Sequence, residues 1–138
     1  MTMLRLSAVL PLLLATVALG VAAGCGGSDE SEEESTTPAE AVTEIGVIKT
    51  LLNTAVDQVR EGDTETAEET VGDAYLEHFE HVEGPLGEKD HEFMEELEEA
   101  ISTDLRADIK DGKSADEIEA IVAEIDADLD RAVELLQG

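Results

Sequence analysis

Apolar residues in this chain recur at steps of three and four in four separate stretches, and that spacing constrains the fold more than any other feature. Residues three and four apart share one face of an α-helix, whereas a strand would need strict alternation. Within residues 38–138 the steps run Ile45, Ile48, Leu52, Ala55, Val59; then Ala67, Val71, Tyr75, Phe79, Val82; then Met94, Leu97, Ile101, Leu105, Ile109; and last Ile118, Ile121, Val122, Ile125, Leu129, Val133, Leu136. No alternating stretch and no internal repeat stands out.

The punctuation between these stripes agrees with them. Thr37-Pro38-Ala39-Glu40 and Ser114-Ala115-Asp116-Glu117 are capping boxes, the first with proline at the opening helical position. Gly62 is expected to end the first helix, and Asp63 to cap the second. Gly84-Pro85 is expected to break the second helix, because proline lacks the donor and crowds the preceding turn. The third is expected to start near Asp90 and stop at Gly112. Each helix is then about 20 residues, or roughly 30 Å, long. The three linkers are short, so neighbours should be antiparallel and close into an up-down-up-down four-helix bundle, an all-α domain spanning 38–138.

Ahead of the domain stands a different kind of segment. Arg5 is the sole charge before an apolar run from Leu6 to Ala23, with small residues leading to Cys25. This order matches a secretory signal peptide over residues 1–24. Ala22-Ala23-Gly24-Cys25 resembles the lipobox of bacterial lipoproteins. The resemblance implies that the Cys25 thiol carries a diacylglyceryl group and becomes the mature N-terminus. An uncleaved membrane anchor is the other reading. Either way the rest of the chain is expected outside the cytoplasm, attached to a membrane. Residues 25–37 add Gly, Ser, Thr and five acids but no apolar residue after the cysteine. Such a stretch is expected to be a disordered, self-repelling tether.

Charge narrows the partners. Asp and Glu outnumber Lys and Arg 35 to 8, a formal net charge of −27. A phosphate backbone is bound by cations, so the balance argues against nucleic acid. An acidic surface collects cations, as metal ions or as basic proteins; it also serves simple solubility and tolerance of high salt. Cys25 is the only cysteine, which excludes an intramolecular disulfide and a cysteine-based metal cluster.

Histidines and aromatics concentrate where chemistry is most expected. His78, His81, His91, Tyr75, Phe79 and Phe93 all fall between residues 75 and 93. Glu80 and Glu83 share one helix face, as do Glu77 and His81. Glu83 lies four residues beyond Phe79, at the edge of the apolar stripe. Across the turn, Glu95, Glu98 and Glu99 surround Leu97 on the third helix. Carboxylates from two helices with His78 or His81 nearby would give an oxygen-and-nitrogen site suited to Fe, Mn or Zn. In so acidic a chain, glutamate pairs at helical spacing also arise as a solvated face. A di-iron centre needs Glu-x-x-His from two helices; only Glu88-x-x-His91 fits, at a helix start. No nucleophile triad or phosphate-binding glycine loop is legible, so no enzyme activity is expected.

Tyr75-x-x-x-Phe79-Glu80-x-x-Glu83-x-x-Leu86, then Glu98, Leu105-Arg106 and Lys110-Asp111-Gly112, resembles the soluble extracytoplasmic domain of bacterial members of the high-affinity iron permease family. The resemblance spans residues 45–136. It implies a helical domain beside a membrane permease, with Glu80, Glu83 and Glu98 as iron ligands and Arg106 as their partner. The chain lacks the family's Arg-Glu-x-x-Glu motif and permease helices. An accessory role follows: binding iron, or another divalent or trivalent cation, and assisting a separate permease. The alternative is a structural or partner-docking lipoprotein with no specific metal.

Overall fold

The computed structural model describes residues 36–138. The expected signal peptide, Cys25 and all of the expected tether except its last two residues lie outside the described residues. Among the described residues every regular element is helical and no strand occurs. None of these helices is long and apolar enough to cross a membrane.

Among the described residues there are four helices, and local chemistry sets nearly all their ends. The first spans Pro38–Glu61; Thr37 and Glu40 form its capping box, and Gly62 closes it at φ +86°. That left-handed conformation suits glycine, which has no Cβ to clash. The second covers residues 64–87, with the Asp63 carboxylate accepting from the Thr66 amide. The third covers residues 91–110, capped by Asp90 through the Phe93 amide and followed by Gly112 at φ +81°. The fourth spans Ala115–Gln137 behind the Ser114–Glu117 capping box.

One end departs from expectation. The second helix is not broken at Gly84-Pro85; it continues through Pro85 to Gly87. Proline removes only the bond to the carbonyl of His81, an exposed residue whose carbonyl can turn to water. Pro85 and Leu86 are both buried, so continuing the helix places two more apolar side chains in the core.

The core is built mainly from the four stripes, and among the described residues no polar or charged residue is buried. Phe79, Ile45, Ile48, Leu52, Leu97, Ile101, Leu105 and Leu129 are among its largest fully buried side chains. Val59, Tyr75, Ile121 and Val133, expected inside, are only partly buried against it. Along the outer seam of the first and fourth helices, Lys49 reaches Asp130, Asn53 reaches Asp126, and Arg60 reaches Glu119. Numbers rise along one helix as they fall along the other, so this pair runs antiparallel.

The two middle helices differ from the outer pair in winding. Ala74–Phe79 and Ala100–Leu105 are π-helical. The third helix shows why. Its buried residues Leu97, Ile101, Leu105 and Ile109 are separated by three successive steps of four. Each such step overshoots an α-helical turn by about 40°. A wider π turn absorbs the drift and keeps all four side chains inward. In the second helix the fully buried residues jump from Ala74 to Phe79, five positions, across the π turn.

Candidate functional site

The second and third helices bring Tyr75 within electrostatic range of Glu98, Glu83 and Glu80, and Glu83 within range of Glu98 and Glu80. All four lie in or within four residues of the wider turns. Tyr75 lies inside the first π turn, and Glu98 stands two residues before the second. Glu80 and Glu83 follow the first π turn in the next helical segment. Such insertions in α-helices are frequent at functional sites, because one extra residue re-aims every side chain beyond it.

The Tyr75 hydroxyl donates to Glu98 Oε1 at 3.0 Å, joining residues 23 apart in sequence. The Tyr75 ring also stacks on Phe79, with centroids 6.3 Å apart. Burial pushes the Tyr75 phenol up to about 12, helped by the hydrogen bond to Glu98 and the negative charges of Glu98, Glu83 and Glu80. The phenol therefore stays protonated at neutral pH and serves as a donor.

Glu83 is partly buried, and its Oε1 is fully shielded with no hydrogen-bond partner. Desolvation raises its pKa, and the charges of Glu98 and Glu80 raise it further. An inward-facing carboxylate oxygen without a donor carries an electrostatic cost that a cation would relieve. Glu80 is exposed and Glu98 half-buried, so the group opens to solvent on one side.

The remaining sequence-expected residues divide from this group. His78 makes its contact with the first helix, where its Nδ1 stands 2.6 Å from Glu44 Oε2. Glu77 and His81 are exposed. His91 pairs with Glu95 of its own helix at 3.5 Å. Arg106 is exposed, and its guanidinium carbon lies 3.9 Å from where a Cβ on Gly72 would stand. Among the described residues no ion pair joins Arg106 to the carboxylates. As the side chains stand, no three His, Cys, Asp or Glu of the described residues close around a single metal position.

Glu44, the partner of His78, was not singled out by sequence reasoning. It shares a helix face with Ile48, four residues on, and only the packing of the first helix against the second reveals its role.

Elsewhere, two surface features are distinct. Arg131 stacks its guanidinium 3.9 Å above the Phe93 ring and reaches Asp90 at 3.3 Å, tying the fourth helix to the start of the third. Pro38, Ala39, Val42, Leu136 and Gln137 line a shallow groove of about 370 Å³ where the first helix begins and the fourth ends.

The chain matches no protein-family model, no curated protein and no solved structure.

Proposed function

We propose that this chain is an extracytoplasmic lipoprotein, held to a membrane by lipid on Cys25. Its four helices form an up-down-up-down bundle that takes up metal ions, with iron as cargo, and assists a separate integral-membrane iron permease. The antiparallel run of Lys49–Asp130, Asn53–Asp126 and Arg60–Glu119 supports the bundle. The observation that carries the metal reading is the shielded Glu83 carboxylate oxygen that lacks a donor, on a residue that feels the charges of Glu80 and Glu98 beside the Tyr75–Glu98 hydrogen bond.

The chemistry of the donor set favours a hard cation. All four side chains offer oxygen, and three are carboxylates, which suits iron or manganese better than a soft metal. Capture requires Glu80 and Glu98 to rotate toward Glu83. Glu80 is exposed and turns at little cost. Bringing a cation beside Glu83 reverses the local repulsion, so the group that destabilises the empty fold stabilises the loaded one. His78 and His81 are not needed in this reading.

Thermal unfolding with Fe, Zn and Ca at fixed ionic strength tests it. A shift specific to iron, absent in the Glu80→Ala/Glu83→Ala double variant while the helices stay folded, is the expected result. Equal small shifts with every divalent ion, or with salt alone, would sink the metal site. That outcome would favour the competing reading, a partner-docking lipoprotein without a specific metal, to which the 55 % exposed Leu76 beside Tyr75 would then belong.

A further inference from the structure

Tyr75 and His78 lie three residues apart in the same π turn, yet they are tied to different helices. Tyr75 donates to Glu98 on the third helix. His78 meets Glu44 on the first helix at 2.6 Å, with both side chains about three-quarters buried. Glu44 and His78 are 34 positions apart in sequence, so this contact exists only because the fold builds it.

A π turn holds one residue more than the α turn into which it can relax. Here the turn is gripped on both flanks, by Glu98 on one side and Glu44 on the other, with buried Phe79 at its end. Removing one grip frees the turn to rotate, and Tyr75 is the side chain that rotation displaces.

We infer that Glu44 is a positioning residue for the Tyr75–Glu98 pair, acting through His78. His78 thereby leaves the set of candidate ligands and becomes the strut that holds the π turn in register. The inference rests on the proposed site only for what that geometry serves; the coupling of Glu44 to Tyr75 stands or falls on its own. Groups that orient metal-binding side chains typically change affinity by about 10–100-fold when removed.

Tyr75 reports on itself, because the chain has one tyrosine and no tryptophan. All of its intrinsic fluorescence, and the whole phenol titration followed by ultraviolet absorbance, belong to this residue. A carboxylate hydrogen-bonded to the phenol quenches its emission. Glu44→Ala in the full chain is expected to brighten that emission and to move the phenol from about 12 toward the ordinary 10.0. Iron affinity is expected to fall by about 10-fold or more. Glu44→Gln keeps an oxygen for the His78 ring to donate to, and is expected to stay close to wild type. Glu61→Ala removes an exposed charge from the same helix and controls for net charge.

Unchanged Tyr75 emission and titration in Glu44→Ala would overturn the inference. If Glu44→Ala does not fold, His78→Leu fills the same place without the hydrogen bond and decides in the same way. Wild-type protein that fails to bind iron would remove the proposed function, yet the Tyr75 readouts would still test the coupling.

Discussion

The seam between the first and fourth helices and the seam between the second and third use the same acidic material in opposite ways. Along the first, acids meet bases or amides: Lys49 with Asp130 at 2.7 Å, Arg60 with Glu119 at 3.0 Å, Asn53 with Asp126 at 3.3 Å. Both helices are regular α throughout. Along the second, acids meet acids. Glu83 faces the charges of Glu80 and Glu98, and a tyrosine supplies the only hydrogen bond across to the third helix at this point. Both of those helices carry a π turn. One seam is regular and gives Asp130 and Glu119 a base and Asp126 an amide, although Asp126 keeps one shielded oxygen unpartnered; the other concentrates negative charge beside widened turns. The difference teaches where to look in a chain acidic almost everywhere: acidity alone marks nothing, but acids packed against each other without bases carry a cost, and natural folds keep such costs where function repays them.

The largest test of this contrast is Phe79→Ala. Phe79 is fully buried at the end of the first π turn. Its loss should cost about 3–5 kcal/mol, read from the urea midpoint. A loss below about 1 kcal/mol would mean that the π turn is loosely held, and that the second seam is not a fixed site at all.

Glu83→Gln probes the acid-on-acid packing itself. It should stabilise the metal-free protein at neutral pH, because glutamine keeps the shape but removes the charge that burial and the carboxylates of Glu98 and Glu80 disfavour. It should also abolish the iron-dependent shift. The accompanying pH dependence has a definite sign. Folding raises the Glu83 pKa above its ordinary 4.5, so the folded state holds that proton more tightly. The stability this confers is complete below pH 4.5 and is lost as pH rises through the raised value. Urea midpoints from pH 4.5 to 7 should therefore fall more steeply with pH in wild type than in Glu83→Gln. Parallel curves would show that Glu83 is solvated like its neighbours.

The smallest effect belongs to the other seam. Lys49→Met should cost only about 0.2–1 kcal/mol and should fade in high salt, because the Asp130 partner is 70 % exposed. A larger loss would mean that the regular seam, too, depends on its charges.

Helix boundaries were legible in the sequence because they are set within a few residues. Thr37 with Glu40, Asp63, Asp90, and Ser114 with Glu117 satisfy amides on their own first turns. Gly62 and Gly112 end helices through their own backbone conformation. Pro85 misled for the complementary reason: its local cost is real, but the burial of Pro85 and Leu86 outweighs it. The π turns were not legible. Ala67 to Phe79 and Leu97 to Ile109 each take three successive steps of four, but so does Ile121 to Val133 in the regular fourth helix.

The candidate site was legible only in part. Spacing put Glu80 and Glu83 on one face and the resemblance singled out Glu98 among the acids around Leu97; the structure sets Glu83 within range of Glu80 and Glu98, and all three within range of Tyr75. Spacing could not separate His78 from this group, nor find Glu44, because both depend on which helix lies on which flank. By itself, then, the sequence determined where helices start, where the first and third stop and which stripe of each is apolar, since capping bonds and periodicity act within one helix. Tertiary structure alone decided the register of the two middle helices and the partners of Tyr75, Glu83 and His78. A side chain near the edge of an apolar stripe takes its direction from the neighbouring helix, and a single extra residue in a turn redirects everything that follows.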